Sequence, residues 1–243
     1  MDSAVWKSAS LTQAYLSGVR AAIPSQAERM DIMLRLLAAN GRPVARFLDL
    51  GCGDGVLGRV VLGPYPQAHG VFLDFSEPML AAARAQLDAR HTLLCVDYGD
   101  PDWLRSMAGW APFDAVVSGF SIHHQPDARK REIYAEIHSL LAPGGMFVNI
   151  EHVQSATPWG SRIFDEMFVD RLAEYHARHS GKTREQVAEE FYNRPDKAAN
   201  ILAPVDVQLG WLREIGFVDV DCFSKTFELC LFAGRRAADG GIK

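Results

Sequence analysis

An α/β fold with a doubly wound, mostly parallel sheet follows from three features of the 243-residue sequence. From Arg42 to Val153, short apolar strand patterns alternate with helical ones without a break, which calls for a parallel sheet covered on both faces. The first strand, Phe47 to Leu50, runs into the glycine turn Gly51, Gly53 and Gly55, where the backbone can take positive φ and approach a ligand closely. Two adjacent strand patterns near the C-terminus, Phe217–Lys225 and Thr226–Ala233, read as an antiparallel pair.

Composition narrows the function classes. At this length one domain with a substantial core is expected, and 48% hydrophobic with 23% charged residues is ordinary for a globular chain. A net charge of −5 counts against extended nucleic-acid binding. Cys52, Cys95, Cys222 and Cys230 lack metal-site spacing and suit a reducing cytoplasm. No signal peptide and no run of membrane-spanning length is read, so no membrane is expected.

Residues 1–41 read as helix, turn, helix, with Trp6 as a packing group against the sheet. Pro24-Ser25 opens its second helix, and Ser25 with Glu28 fits a capping box. Met30, Met33, Leu34 and Leu37 form one apolar face, and Gly41 ends the helix.

The cofactor-binding core, 42–153, is expected to place strands at 46–50, 70–75, 92–97, 114–119 and 146–151. Helices are expected at 55–62, 77–89, 101–108 and 127–142. Ligands of such sheets bind beyond the carboxyl ends of the strands, so the strand exits are the residues to examine. Gly53-x-Gly55-x-x-Gly58 satisfies a dinucleotide fingerprint, with Asp74 nineteen residues after Gly55. Carboxylates at Asp49 and Asp54, however, would repel a pyrophosphate.

Asp49-Leu-Gly-Cys-Gly-Asp-Gly55, with its acid inside the strand, resembles motif I of the class I S-adenosylmethionine-dependent methyltransferases of small-molecule type. Phe113–His124 and Leu140-Leu-Ala-Pro-Gly-Gly-Met-Phe-Val-Asn149 resemble the motifs that follow in that family, and a dehydrogenase has no reason to combine them. The resemblance implies a seven-stranded Rossmann-like sheet whose last strand is antiparallel. It also implies S-adenosyl-L-methionine as cofactor, with S-adenosyl-L-homocysteine as product, and an N-terminal helical cap, 1–41, whose Trp6, Tyr15 and Arg20 line the substrate pocket. Asp49 would face the ammonium, Asp74 the ribose hydroxyls, and Phe75 and Met79 the purine. Asp97 would accept from the adenine amino group beside Tyr98, and Gly51, Cys52, Gly53 and Gly119 would complete the cofactor site.

Methyl transfer is an in-line displacement that needs no metal, and a base only where the acceptor loses a proton. His124, His123, Glu151 and His152 are the base candidates at strand exits. Neighbouring residues on an extended segment face opposite ways, so only one of the two adjacent histidines is expected in the pocket.

Residues 154–203 form a helical insert, with helices from Pro158 to His179 and Thr183 to Tyr192, the second opened by a Thr183–Gln186 capping box. Ile163, Met167, Val169, Leu172 and Tyr175 give it an apolar stripe that serves as a lid or a dimer surface. Residues 204–236 supply the last helix, 206–215, and the strand pair, and the tail 237–243 is expected to be disordered. The function expected is O- or N-methylation of a small molecule by a monomer or homodimer, without nucleic acid or metal. A tRNA- or protein-directed enzyme is the alternative, with Arg129-Lys130-Arg131 read as a solvated helix face. A user of a modified S-adenosylmethionine, with Arg194 or Arg20 near the transferred group, is the other.

Overall fold

A computed structural model describes residues 23–194, 197 and 199–238. The expectations for Trp6, Tyr15, Arg20 and the last five residues lie outside these.

Seven strands form one sheet: β1 (Arg46–Leu50), β2 (His69–Asp74), β3 (Thr92–Cys95), β4 (Phe113–Gly119), β5 (Leu141–His152), β6 (Phe217–Thr226) and β7 (Leu229–Arg236). Their order is β3-β2-β1-β4-β5-β7-β6. β1 to β5 pair in parallel, while β7 lies antiparallel between β5 and β6. The order reverses between β1 and β4, and a crevice opens there beyond the strand ends.

The helices are α1 (Gln26–Ala39), α2 (Val56–Leu62), α3 (Glu77–Arg84), α4 (Asp127–Leu140), α5 (Pro158–His179), α6 (Arg184–Asn193) and α7 (Val205–Ile215), with 3-10 turns at Pro101–Met107 and Ile122–His124. One face of the sheet buries Ile133, Tyr134 and Ile137 of α4 and Leu209 and Leu212 of α7 against Leu48, Val116 and Phe147. The other buries Met33 and Leu37 of α1 and Leu57 and Val61 of α2 against Phe47, Phe72 and Val148. Two-sided burial explains why β1, β2 and β4 read as unbroken apolar runs rather than alternating ones.

Several local expectations are corrected. Ser25 has φ 55° and makes no side-chain cap, so there is no capping box with Glu28. Thr183 and Gln186 do form theirs. The helix expected to reach residue 89 stops at Arg84, and 127–142 ends at Leu140. Leu-Ala-Pro-Gly-Gly is absorbed into β5 as a bulge, because Phe113 pairs with Leu141 but Ala115 with Met146.

The basic cluster on α4 is not a solvated face. Arg129 donates to the Tyr98 carbonyl at 2.8 Å and to Glu136, and Lys130 donates to Asp127 and to the Ile201 carbonyl. Both are buried, and only Arg131 stays outside, paired with Glu214. Desolvating a cation is costly without partners. These two offset that cost by tying the β3 exit and the end of the insert to α4.

The expected stripe on α5 is met at Val169 and Leu172 and extended by Phe164 and Phe168. Phe164, Phe168 and Leu172, spaced by four, are buried with Val169, while Ile163 and Tyr175 are only partly covered. They pack with Val187 and Phe191 of α6, Leu229 of β7 and Ile23 into a third apolar cluster beside the main core.

Candidate active site

The crevice beyond β1, β2 and β4 is a cleft lined by the glycine turn and the strand exits. Cys52 donates its N–H to the Leu73 carbonyl at 2.9 Å and Gly55 donates to Cys52 at 2.8 Å, which folds the turn back on itself. Gly51 carries φ 66°, and a Cβ there would collide with the Ser121 hydroxyl. Only glycine meets both demands.

Two buried carboxylates hold this turn in place. Asp74 accepts the Gly53 N–H at Oδ2 and the Ser76 N–H at Oδ1, both at 2.8 Å. Asp49 accepts the Gly58 N–H of α2 at 2.8 Å. Burial raises both carboxyls, Asp49 to about 8, against the pull of these donors. Asp97 caps the next loop through the Gly99 N–H at 2.8 Å, and Tyr98 gives or takes a hydrogen bond with the Ser121 hydroxyl at 2.6 Å.

Every cofactor residue expected from the sequence lines this one cleft: Asp49, Gly51, Cys52, Gly53, Asp74, Phe75, Met79, Asp97, Tyr98 and Gly119. Gln26, Phe120, Ser121 and Gln125 line it too and escaped sequence reading. Four acids, Asp54 included, and no lysine or arginine stand among the described lining residues. The Gly53 and Gly58 N–H groups are already taken by carboxylates. A pyrophosphate would therefore meet acceptors where it needs donors. A cation bearing an ammonium, ribose hydroxyls and an adenine amino group meets acceptors where it brings donors, so S-adenosylmethionine fits.

A second cavity adjoins the cleft. Its walls come from the core through Phe120, His123, His124 and His152, from the insert through Phe164, Asp165, Phe168, Phe191 and Lys197, and from the β6–β7 turn through Glu228. Each space measures about 1,100 Å³ with its mouth included (1080 and 1090 Å³), room for one small molecule apiece. Phe120 and His124 line both. Phe120, just past β4, takes φ 51°, an uncommon conformation for a bulky residue that turns the chain sharply at this shared wall.

The base candidates separate here. Ile122–His124 is a 3-10 turn rather than an extended segment, so both histidines reach the second cavity, against expectation. Their ring centroids lie 4.0 Å apart. His124 Nδ1 is 3.2 Å from the Ala199 carbonyl and donates to it.

Glu151 lines neither cavity and is not placed to act as a base. On β5, Ile150 and His152 face the cavities while Asn149 and Glu151 point the other way. Its carboxyl lies 2.6 Å from His123 Nδ1 and accepts the backbone N–H groups of His123 at 3.1 Å and His152 at 2.9 Å. Burial lifts it to about 7, and burial drives the His123 imidazole well below its ordinary range. The pair holds one proton between them, and Glu151 positions His123 from behind. His152 Nε2 sits 2.9 Å from Glu228, which also accepts from Ser161 at 2.6 Å.

Among the described residues, no group of three His, Cys, Asp or Glu side chains is arranged to hold a metal, and no helix is long and apolar enough to cross a membrane.

Residues 48–147, the stretch that builds the cleft, match the family described as a methyltransferase domain. A trans-aconitate 2-methyltransferase of Acidovorax ebreus is 34% identical over 125 residues, 50% of this chain and 44% of that protein. A demethylmenaquinone methyltransferase of Thermus thermophilus is 37% identical over 106 residues, 44% of this chain and 46% of that protein. The chain thus spans about half the length of the curated relatives it matches. A solved S-adenosylmethionine-dependent methyltransferase of Clostridium acetobutylicum shares the fold, with TM-score 0.61 at 12% identity over 94% of this chain and 98% of that one.

Proposed function

We propose that this chain is a class I S-adenosylmethionine-dependent methyltransferase that methylates a small-molecule acceptor, at oxygen or nitrogen, held in the second cavity. The observation that carries this reading is the shared wall: Phe120 and His124 line both the cleft and the cavity. A reaction between two bound molecules needs such a meeting point, and holding them in line supplies much of the acceleration.

When bound, the cofactor supplies an electrophilic methyl group on a sulfonium. Asp49 would hold the ammonium, Asp74 the ribose hydroxyls and Asp97 the adenine amino group, with Phe75 and Met79 beside the purine. An acceptor methylated on oxygen or nitrogen would lose a proton, and His124, on the shared wall, would be the group to take it at Nε2. Its Nδ1–H, committed to Ala199, fixes that polarity. His123, backed by Glu151, and His152, backed by Glu228, hold the acceptor rather than deprotonate it.

The insert, 154–203, acts as a lid. Its phenylalanines close the side of the cavity away from the sheet, which supports a small acceptor over a tRNA or protein. Arg129 and Lys130 are spent inside the fold, which supports the same choice. Arg194 lies 4.6 Å over the Phe191 ring in the cavity wall, away from the cleft, which favours the unmodified cofactor. Cys52, Cys95, Cys222 and Cys230 are all free thiols, in keeping with a reducing cytoplasm.

Titration calorimetry with S-adenosylmethionine and S-adenosylhomocysteine tests the reading. Micromolar binding that weakens by at least about tenfold in Asp74→Ala supports it. Binding of a nicotinamide dinucleotide instead would overturn it.

A further inference from the structure

Two of the four free thiols stand together on the sheet. Cys222 lies on β6 and Cys230 on β7, which pair antiparallel with Cys222 opposite Phe232 and Lys225 opposite Cys230. Residues two apart on a strand share a face, so Cys230 sits beside Phe232 and diagonal to Cys222. Both cysteines pack on the face of the sheet that α4 and α7 cover. The two sulfurs lie within hydrogen-bonding reach of each other, and Cys222 Sγ also donates to the Ser224 carbonyl at 3.4 Å.

The two thiols are not equivalent. Cys230 is fully buried, while Cys222 is half-buried at the open edge of the sheet. The hydrogen bond from Cys230 pulls the Cys222 thiol down to about 7, and the same bond together with burial pushes Cys230 well up. The thiolate is the nucleophile of thiol chemistry, so the half-buried sulfur is the reactive one and the buried sulfur keeps its proton. β6 pairs on one side only, with β7, and is bulged between Cys222 and Ser224. A bulged edge strand can shift toward its neighbour without breaking a ladder on its far side. That freedom is what closing two adjacent sulfurs to a bond of about 2.05 Å requires.

We propose that Cys222 is a peroxide-reactive thiol and that Cys230 resolves its oxidised form into a disulfide between β6 and β7. The Cys222 thiolate attacks the terminal oxygen of a hydroperoxide and the O–O bond breaks, which leaves a sulfenic acid and releases hydroxide or an alkoxide. The Cys230 sulfur then attacks the Cys222 sulfur, the S–O bond breaks, and the hydroxyl leaves as water with the Cys230 proton. Two electrons pass from the sulfurs to the peroxide, and the two thiols lose two hydrogens. Cys230 pairs with Glu151 across β5 and β7, so the bond forms one strand away from the carboxyl that holds His123.

The test is hydrogen peroxide treatment of the full native chain, followed by acid quench, blocking of the remaining thiols and peptide mapping by mass. The expected product carries Cys222 and Cys230 in one cross-linked fragment, lighter by about 2 Da than its two reduced halves and separated again by dithiothreitol. Cys230→Ser should stop at the sulfenic acid, trapped by dimedone on Cys222. Cys222→Ser should show neither the bridge nor a label on Cys230. If either variant fails to fold, the map of the wild-type chain decides by itself. The exposed Cys95 serves as the internal control for the dose of peroxide. Oxidation of Cys95 while Cys222 and Cys230 keep their hydrogens would overturn the proposal. So would a bridge joining any other pair, or overoxidation of Cys222 in the wild type with Cys230 untouched.

Discussion

The cleft and the second cavity share a wall but are built in opposite ways. The cleft is made of backbone turns at the ends of adjacent parallel strands, clamped by Asp49 and Asp74 onto N–H groups of the same turns. The cavity is made of side chains from distant segments, with the core on one side and the insert on the other. The cleft's residues sit at the exits of consecutive strands of the core, while the cavity's residues meet only when α5, α6 and the β6–β7 turn are in place. That difference predicts that cofactor binding and acceptor binding can be damaged separately.

His124 tests the point where the two regions meet. His124→Ala should lower kcat by roughly 10²- to 10⁴-fold, the range for a lost general base, with S-adenosylhomocysteine affinity changed far less. A pH profile of kcat that keeps its acidic limb in the variant would assign the base elsewhere.

Gly51→Ala attacks the cleft alone. The new Cβ meets Ser121 at φ 66°, so the turn must open. About 2–4 kcal/mol of stability should be lost, read by urea denaturation, together with most cofactor affinity. Wild-type cofactor affinity in this variant would show the turn to be looser than its contacts imply.

Phe168→Ala attacks the cavity alone. It should raise the acceptor KM by about tenfold and cost about 3 kcal/mol of stability, while the Kd for S-adenosylhomocysteine stays within about twofold. Parallel losses in both affinities would erase the distinction between the regions.

The smallest effect is one of pH. Burial holds the Asp49 carboxyl protonated up to about 8, and a bound ammonium favours its ionised form. Binding must then release a proton below that value, so affinity rises with pH, by at most about tenfold per unit, between pH 6 and 7.5. Calorimetry in buffers of different ionisation heat measures the released proton, and Asp49→Asn should abolish the release. The same raised carboxyl works against folding. The folded state keeps its proton where the unfolded chain has lost it, so this contribution to stability is present below the ordinary Asp range and is lost as pH climbs toward 8.

How legible each region is follows from how it is built. The ten residues expected at the cofactor all line one cleft, because a strand, a glycine turn and an acid at a strand end have local signatures. Glu228 could not. An acid in a hairpin turn reads as a solvated loop residue, and only the pairing of His152 with Leu229 across β5 and β7 brings it to an imidazole. Lys130 was misread for a related reason, since its partner carbonyl at Ile201 lies 71 residues away. On α5 the sequence points to Val169 and Leu172 but not to Phe164 or Phe168, which are buried against Phe191 and Leu229.

The sequence by itself determined the order of strands and helices, the doubly wound class, the antiparallel ending and the acidic glycine turn, because each rests on spacing within one or two elements. Tertiary structure alone decided that Glu151 backs His123 instead of facing a cavity, that both adjacent histidines face the same space, and that residues of an insert some forty positions downstream line it. Those outcomes depend on which strand lies beside which, on a 3-10 turn where extended chain was expected, and on the burial of charges whose partners are remote in sequence.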